Sequence, residues 1–211
     1  MPRPEASFPR DAAATQKRLL DAAEREFAQR GFAGARLKDI AASAGVQTTL
    51  IHHYFDDKQG LYRAVLDRAL APTQTESWNL LRVHKDFEAL VRGFVSVVIH
   101  FYAKHGNLIA ILRHEAVTGS AVFPEILRER LAPLTAAITT MLVDMQRRGE
   151  VRADLTPTEV MVLTLSMAVH PFVDGAMIEA ALPGTVPADD AAVARREDAI
   201  ATLLLRALKM P

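Results

Sequence analysis

The chain contains no cysteine. That excludes a disulfide framework, thiol chemistry and any cysteine-held metal centre, and it fits a reducing cytosol. It also carries no net charge, with 25 Lys+Arg against 25 Asp+Glu. Residues 1–70 hold 11 basic and 9 acidic side chains, and residues 71–211 hold 14 and 16. Neither part has the basic excess of a domain that grips a polyanion by bulk charge, so any nucleic-acid role must rest on local placement. Long apolar runs are missing too. The longest, Val160 to Val173, is interrupted by Thr164, Ser166, His170 and Pro171, which makes it too short and too polar for a membrane span. The opening MPRPEASFPRD has no apolar core, so a signal peptide is not expected and a cytoplasmic location is.

Catalytic signatures are absent as well: there is no Gly-rich phosphate loop, nucleophile elbow or metal triad. His114 and Glu115 are an acid–base pair in name only, since neighbours on a helix point about 100° apart. His100, His105, His114 and Glu115 match no local ligand spacing, so neither a metal nor a cofactor is expected. No strand alternation and no repeat is visible. With 50% hydrophobic residues in 211, the chain can bury a substantial core, and the pattern predicts an all-α fold.

The stretch LKDIAASAGVQTTLIHHYF, Leu37 to Phe55, organises the rest. Leu37, Ile40 and Ala41 recur at helical spacing, and Ala44-Gly45-Val46 makes a turn in which Gly45 tolerates positive φ. A second short helix follows from about Thr48 to Tyr54. Small Ala41 and Ala44 let the two helices cross closely. This is a helix-turn-helix layout, whose second helix enters the DNA major groove. Gln47, Thr48, Thr49, His52 and His53 occupy accessible positions on it, with Leu50 or Ile51 turned inward. Gln can read adenine with two hydrogen bonds, and a Thr methyl can meet a thymine methyl. Arg36 and Lys38, at the start of the first helix, are phosphate candidates; Arg36 stands where a capping side chain would add about 1 kcal/mol.

The flanks LLDAAEREFAQRGF and FDDKQGLYRAVL complete a pattern. From Thr15 to Leu66 the chain resembles the DNA-binding domain of the TetR-like family of bacterial transcriptional regulators. The resemblance is carried by Leu20, Ala22, Ala23, Phe27, Gly31, Phe32, Ile40, Ala41, Ala44, Gly45, Val46, His53, Phe55, Lys58 and Leu61. It implies an N-terminal three-helix helix-turn-helix domain joined to a larger helical ligand-binding and dimerisation domain. It also implies that Lys58 and the backbone N–H groups beside it grip a phosphate of double-stranded DNA. Departures occur where the family usually has a capping Ser or Thr, here Arg36, and where a Gly-Thr-Leu-Tyr run is common, here Thr49-Leu50-Ile51-His52. Gly60 replaces a usual acidic residue and weakens the first turn of its helix.

In chain order, residues 1–14 read as a flexible tail, with Arg3 or Arg10 able to reach a minor groove. Residues 15–60 form the DNA-binding domain, whose first helix Gly31 stops, and residues 61–211 the C-terminal domain. The helix from Leu61 ends or bends at Ala71-Pro72. Helices follow over 86–105, 108–117 and from Phe123 to Gly149. Thr156-Pro157-Thr158-Glu159 is a capping box heading a helix that runs to about Leu182. Residues 185–187 are a loop, and Asp189 or Asp190 caps a last helix to about Lys209. A helix apolar nearly all round needs a second partner, and a second copy of the chain supplies one economically. The helices 157–182 and 189–209 are therefore the expected homodimer surface, where the family builds a four-helix bundle from two chains.

The resemblance further implies a small-molecule effector inside the C-terminal domain. Candidate lining is Trp78, Phe94, Phe101, Tyr102, His114, Met141, Met145, Met167 and His170, with His100 and Phe172 beside them. Adaptable Met and a few polar groups on apolar helices suit a mostly apolar ligand held by one or two hydrogen bonds. The function expected is a dimeric regulator, a repressor released from a palindromic operator by such a ligand.

Overall fold

A computed structural model describes residues 8–84, 86–119, 121–184 and 189–209, with the side chains of residues 8–11 left aside. Arg3 and the loop at 185–187 lie outside the described residues. Ten helices make up the described fold: α1 (Phe8–Gly34), α2 (Leu37–Ala44), α3 (Thr48–Phe55), α4 (Lys58–Val83), α5 (Phe87–Lys104), α6 (Gly106–Thr118), α7 (Val122–Arg147), α8 (Pro157–Val173), α9 (Gly175–Ala181) and α10 (Asp190–Leu208). The pairing of Val151 with Lys209 is a single antiparallel bridge that ties the α7–α8 connection to the end of α10.

Three features differ from the sequence reading. Helix α1 begins at Phe8, inside the segment 1–14 expected to be a flexible tail. Gly31 interrupts it as expected, with non-helical backbone (φ 66°, ψ 176°), and a short helical segment follows to Gly34. Helix α4 does not end at Pro72 but continues through it to Val83, with the proline ring exposed. The helix expected over 157–182 is two: α8 stops at Val173 and α9 leaves it at 83°. Pro171, inside the last turn of α8, removes a backbone donor and helps explain why the helix ends there.

The local signals that were legible hold. Gly45 caps α2 in the left-handed conformation (φ 67°), and its N–H and that of Val46 close back on the Ala41 and Ala42 carbonyls. Thr156 Oγ1 accepts from Glu159 N (3.2 Å) while Glu159 Oε2 accepts from Thr156 N (2.7 Å), a complete capping box. Asp86 and Asp189 cap α5 and α10.

Two apolar clusters result. The first gathers α1, α2, α3 and the start of α4, with Phe27, Ile40, Ile51, Leu61 and Tyr62 fully buried. It extends into the rest of the chain through Phe101, Ile111 and Ile126, so the two halves share one packed seam. The second gathers α5, α7, α8 and α10 around Val95, Ile99, Met145 and Ala168. Among the described residues no single helix is long and apolar enough to cross a membrane; α5–α6 and α8–α9 reach that hydropathy only as pairs bent by 90° and 83°.

Candidate nucleic-acid interface and effector cleft

Helix α3 is eight residues, about 12 Å long at 1.5 Å per residue, and a helix with its side chains is about 10–12 Å across, which a major groove about 12 Å wide admits. Its inner side is settled by Ile51, which is fully buried, while Leu50 is half-buried at the edge. Gln47, Thr49, His52 and His53 are exposed and Thr48 is half-buried. Gln47 sits at the N-cap but makes no capping bond with its side chain. Arg36 likewise heads α2 without a capping bond, and both Arg36 and Lys38 are exposed. His52 Nδ1 is 2.7 Å from the Asp56 carbonyl oxygen. Tyr54 and Phe55 pack partly against the first cluster.

The end of α3 is unusual. Asp56 has φ 64° and ψ −61°, and Asp57 N–H donates to Phe55 O at 2.7 Å, a γ-turn of the rare, strained kind. Asp57 then caps α4, accepting from Gly60 N at 2.8 Å. A Cβ at Gly60 would lie 2.0 Å from the Phe55 carbonyl oxygen. Glycine there is thus required by the close approach of α4 to the end of α3, which the sequence reading saw only as a weakened helix turn.

Lys58 is not directed wholly outward. Its ammonium donates to Ala33 O at 3.2 Å and lies 4.9 Å above the Phe32 ring, and burial pulls its pKa below the ordinary lysine range. It thereby ties the start of α4 to the end of α1. Arg68, nearly three turns further on, ties α4 to α1 again by pairing with Asp21 and Glu24 at 2.6 Å each. Lys17 and then Arg68 hold the Asp21 carboxyl below its ordinary pKa, against partial burial. On its other side α4 is joined to α7 by Arg63–Glu129 and by Asp67–Arg130.

Between α4, α5 and α7 lies a cleft of about 840 Å³. Its apolar lining is Trp78, Leu81, Leu90, Ala137, Met141 and Met145; Arg82, His84, Thr140, Asp144, Arg148 and Glu150 supply the polar part. The volume falls within the range of drug-sized ligand sites. Of the nine expected lining residues, the structure brings Trp78, Met141 and Met145 together here. Phe94 and Met167 pack on the second cluster, while Phe101 and Tyr102 belong to the first, with Phe101 stacked near His105. His114 lies against the α1 kink, 3.1 Å from where a Cβ on Gly31 would stand. His170 is exposed and pairs with Asp174 at 3.0 Å. The polar lining was not legible, because Arg82, His84, Arg148 and Glu150 come from a helix end and turns, and Thr140 and Asp144 interrupt the apolar period of α7.

An apolar surface remains uncovered on α8, where Val162, Leu163 and Leu165 are about half exposed. On α10, Ala199, Leu203 and Ala207 are exposed at i, i+4 spacing.

Two family profiles match the chain: "Bacterial regulatory proteins, tetR family" over residues 19–65 and "Tetracyclin repressor-like, C-terminal domain" over residues 88–203. The HTH-type transcriptional repressor SCO4008 of Streptomyces coelicolor is 30% identical over 162 residues, 75% of this chain and 79% of that protein. Among solved structures, the fatty acid degradation regulator FadR from Bacillus halodurans superposes with a TM-score of 0.71 at 16% identity, covering 95% of this chain and 97% of that one. The ketosteroid transcriptional regulator KstR2 of Mycobacterium tuberculosis gives 0.69 at 17% identity, with 93% and 95% covered. At those identities the two structures speak for the fold alone. The helix-turn-helix, the helical C-terminal domain and both profiles agree: this chain belongs to the TetR family of bacterial DNA-binding transcriptional regulators.

Proposed function

We propose that the chain is a homodimeric repressor that places α3 of each protomer in successive major grooves of a palindromic operator and releases it when a small, mostly apolar ligand fills the α4–α5–α7 cleft. The observation that carries this reading is the division of α3: Ile51 is fully buried, and Gln47, Thr49, His52 and His53 stand exposed around it. That leaves the polar edge free to meet bases, with Gln47 and the Thr48 and Thr49 methyls as base readers and His52 and His53 as donors. Arg36 and Lys38 flank the same end and supply phosphate contacts. Lys58 joins them by exchanging the Ala33 carbonyl for a phosphate oxygen.

The uncovered face of α8 and α10 supports the dimer, since a second copy laid across it removes large apolar side chains from water. Two α3 helices then read half-sites about one DNA turn apart. The cleft supports the effector: its floor is Trp, Leu and Met, and ligand shifts the population only through different affinities for the two arrangements.

Two substitutions test the reading on a selected operator. Lys38→Glu is expected to weaken all sequences alike and to lower the salt dependence of binding by about one phosphate. Gln47→Ala is expected to relax preference at one base pair by about 1–3 kcal/mol. Unaltered DNA binding in both variants would remove α3 and the start of α2 from the interface.

A further inference from the structure

Helix α3 contains no lysine or arginine, and His52 and His53 are its only side chains that can become cationic. Asp56 and Asp57, both exposed, add negative charge at its end. A helix laid on a polyanion without a fixed positive charge of its own depends on what those imidazoles do. The two are not equivalent. His53 is exposed, its ring centroid 4.9 Å from that of Tyr54, and no described residue bonds either of its nitrogens. His52 is held twice. Its carbonyl accepts from Asp56 N–H at 3.1 Å, and its Nδ1 lies 2.7 Å from the Asp56 carbonyl oxygen. A carbonyl oxygen only accepts, so Nδ1 carries the proton. In the neutral ring Nε2 is then an acceptor and has nothing to donate to DNA.

The turn that makes this bond is strained. Asp56 is the one non-glycine residue with positive φ among the described residues (φ 64°, ψ −61°). Such backbone costs about 1–3 kcal/mol and persists only where its surroundings over-determine it. Here Asp57 N–H bonds the Phe55 carbonyl at 2.7 Å, and that carbonyl approaches Gly60 so closely that no Cβ fits there. The Asp56 carbonyl is thereby turned back onto Nδ1, and Nε2 is left as the free nitrogen of an exposed ring. Around it α2 brings Arg36, Lys38 and Asp39, α3 itself His53 and Tyr54, the turn Asp56 and Asp57, and α4 Lys58. Among these described residues no side chain bonds or pairs with the ring: Asp57 caps α4, and Lys58 is bonded to the Ala33 carbonyl. His52 lies in the second half of α3, past the N-terminal positions from which a recognition helix reaches base edges.

We infer that His52 meets an operator phosphate only as the imidazolium, with Nδ1–H held by the Asp56 carbonyl and Nε2–H donated to the phosphate, so that each protomer takes up one proton from solvent as it binds. This rests on the reading of α3 as the DNA contact. Asp56 acts through His52, as a positioning residue. His53, with a ring nitrogen free to donate while neutral, needs no proton. Operator affinity then rises as pH falls through the range in which imidazoles titrate, about pH 5–8, by up to about tenfold per pH unit for each proton taken up.

The test measures affinity for the selected operator at about pH 6 and about pH 8, at fixed salt, with the full chain as wild type, His52→Gln and His53→Gln. Glutamine keeps a polar group on the exposed side and does not titrate. Wild type and His53→Gln are expected to lose affinity as pH rises, and His52→Gln is not. Wild type should therefore bind about tenfold or more tighter than His52→Gln at the lower pH and within about threefold of it at the higher. A ratio of the two affinities that is the same at both pH values shows a role without proton uptake and overturns the inference. So does a wild-type affinity that rises with pH and is flattened by His52→Gln, which marks Nε2 as an acceptor from a base amine. Nitrogen-15 NMR of the free protein reads the same ring without DNA. Above its titration His52 should carry its proton on Nδ1, and a proton on Nε2 overturns the inference whatever the variants do. A wild-type chain that selects no operator at either pH refutes the reading of α3 itself, and this inference with it.

Discussion

Leu163→Ala combined with Leu203→Ala should split the proposed homodimer while leaving the protomer folded. Leu163 is 49% exposed and Leu203 57% exposed in the single chain. Full burial of a leucine side chain is worth about 1.5–3 kcal/mol, so covering the exposed half of each is worth about 1 kcal/mol. Each leucine occurs twice across a two-fold interface, so the pair of substitutions removes about 4 kcal/mol. At about 1.4 kcal/mol per factor of ten, the dimer dissociation constant should rise by about a thousandfold. Sedimentation velocity across a dilution series reads this directly. Because the lost methyl groups face outward, the melting temperature of the separated protomer should stay within a few degrees of the value for undimerised wild type. An unchanged dissociation constant would show that the partner sits elsewhere. A collapse of the protomer itself would show that these leucines belong to its own core.

Other outcomes follow from single positions. Gly60→Ala brings a Cβ within 2.0 Å of the Phe55 carbonyl oxygen. It should cost about 1–3 kcal/mol and lower operator affinity, because the end of α3 must move; thermal unfolding and titration of the operator check both. Thr156→Ala removes the N-cap of α8 and should cost about 1 kcal/mol, lowering the melting temperature by about 2–4 °C for a chain of this size. Asp21 has its folded pKa below the ordinary 3.8, so it adds stability above that pH and loses it as pH falls through the folded value. The difference in melting temperature between wild type and Asp21→Asn should accordingly be full at neutral pH and shrink below about pH 4. A difference independent of pH would remove Lys17 and Arg68 as its cause.

Much of the fold was legible because it is carried by local signals. Gly45, Asp86, the Thr156 capping box and Asp189 each satisfy orphan backbone groups at a helix end, so their residue types mark the boundaries. The bend after Val173 was missed because Met177, Ile178, Ala180 and Ala181 continue the apolar pattern across it, and the pattern carries no direction. The break at Gly31 was legible because glycine adopts the positive φ that other residues avoid. At the DNA edge, the exposed positions on α3 followed from helical period alone. The Lys58 bond to Ala33 did not, since it joins residues 25 apart in sequence. The cleft was legible only where large apolar side chains line it, at Trp78, Met141 and Met145. Phe101 and Tyr102 look identical in sequence but are spent on the seam beneath the DNA-binding domain.

In the proposed function, α3 of each protomer of a dimer reads one half of a palindrome. Incubation of the purified full-length protein with genomic fragments, at defined salt and without added ligand, followed by sequencing of what is retained, addresses it most directly. Enrichment of an inverted repeat whose half-sites are centred about one helical turn, or a multiple of it, apart is expected. A folded, dimeric protein that enriches no such sequence would contradict it.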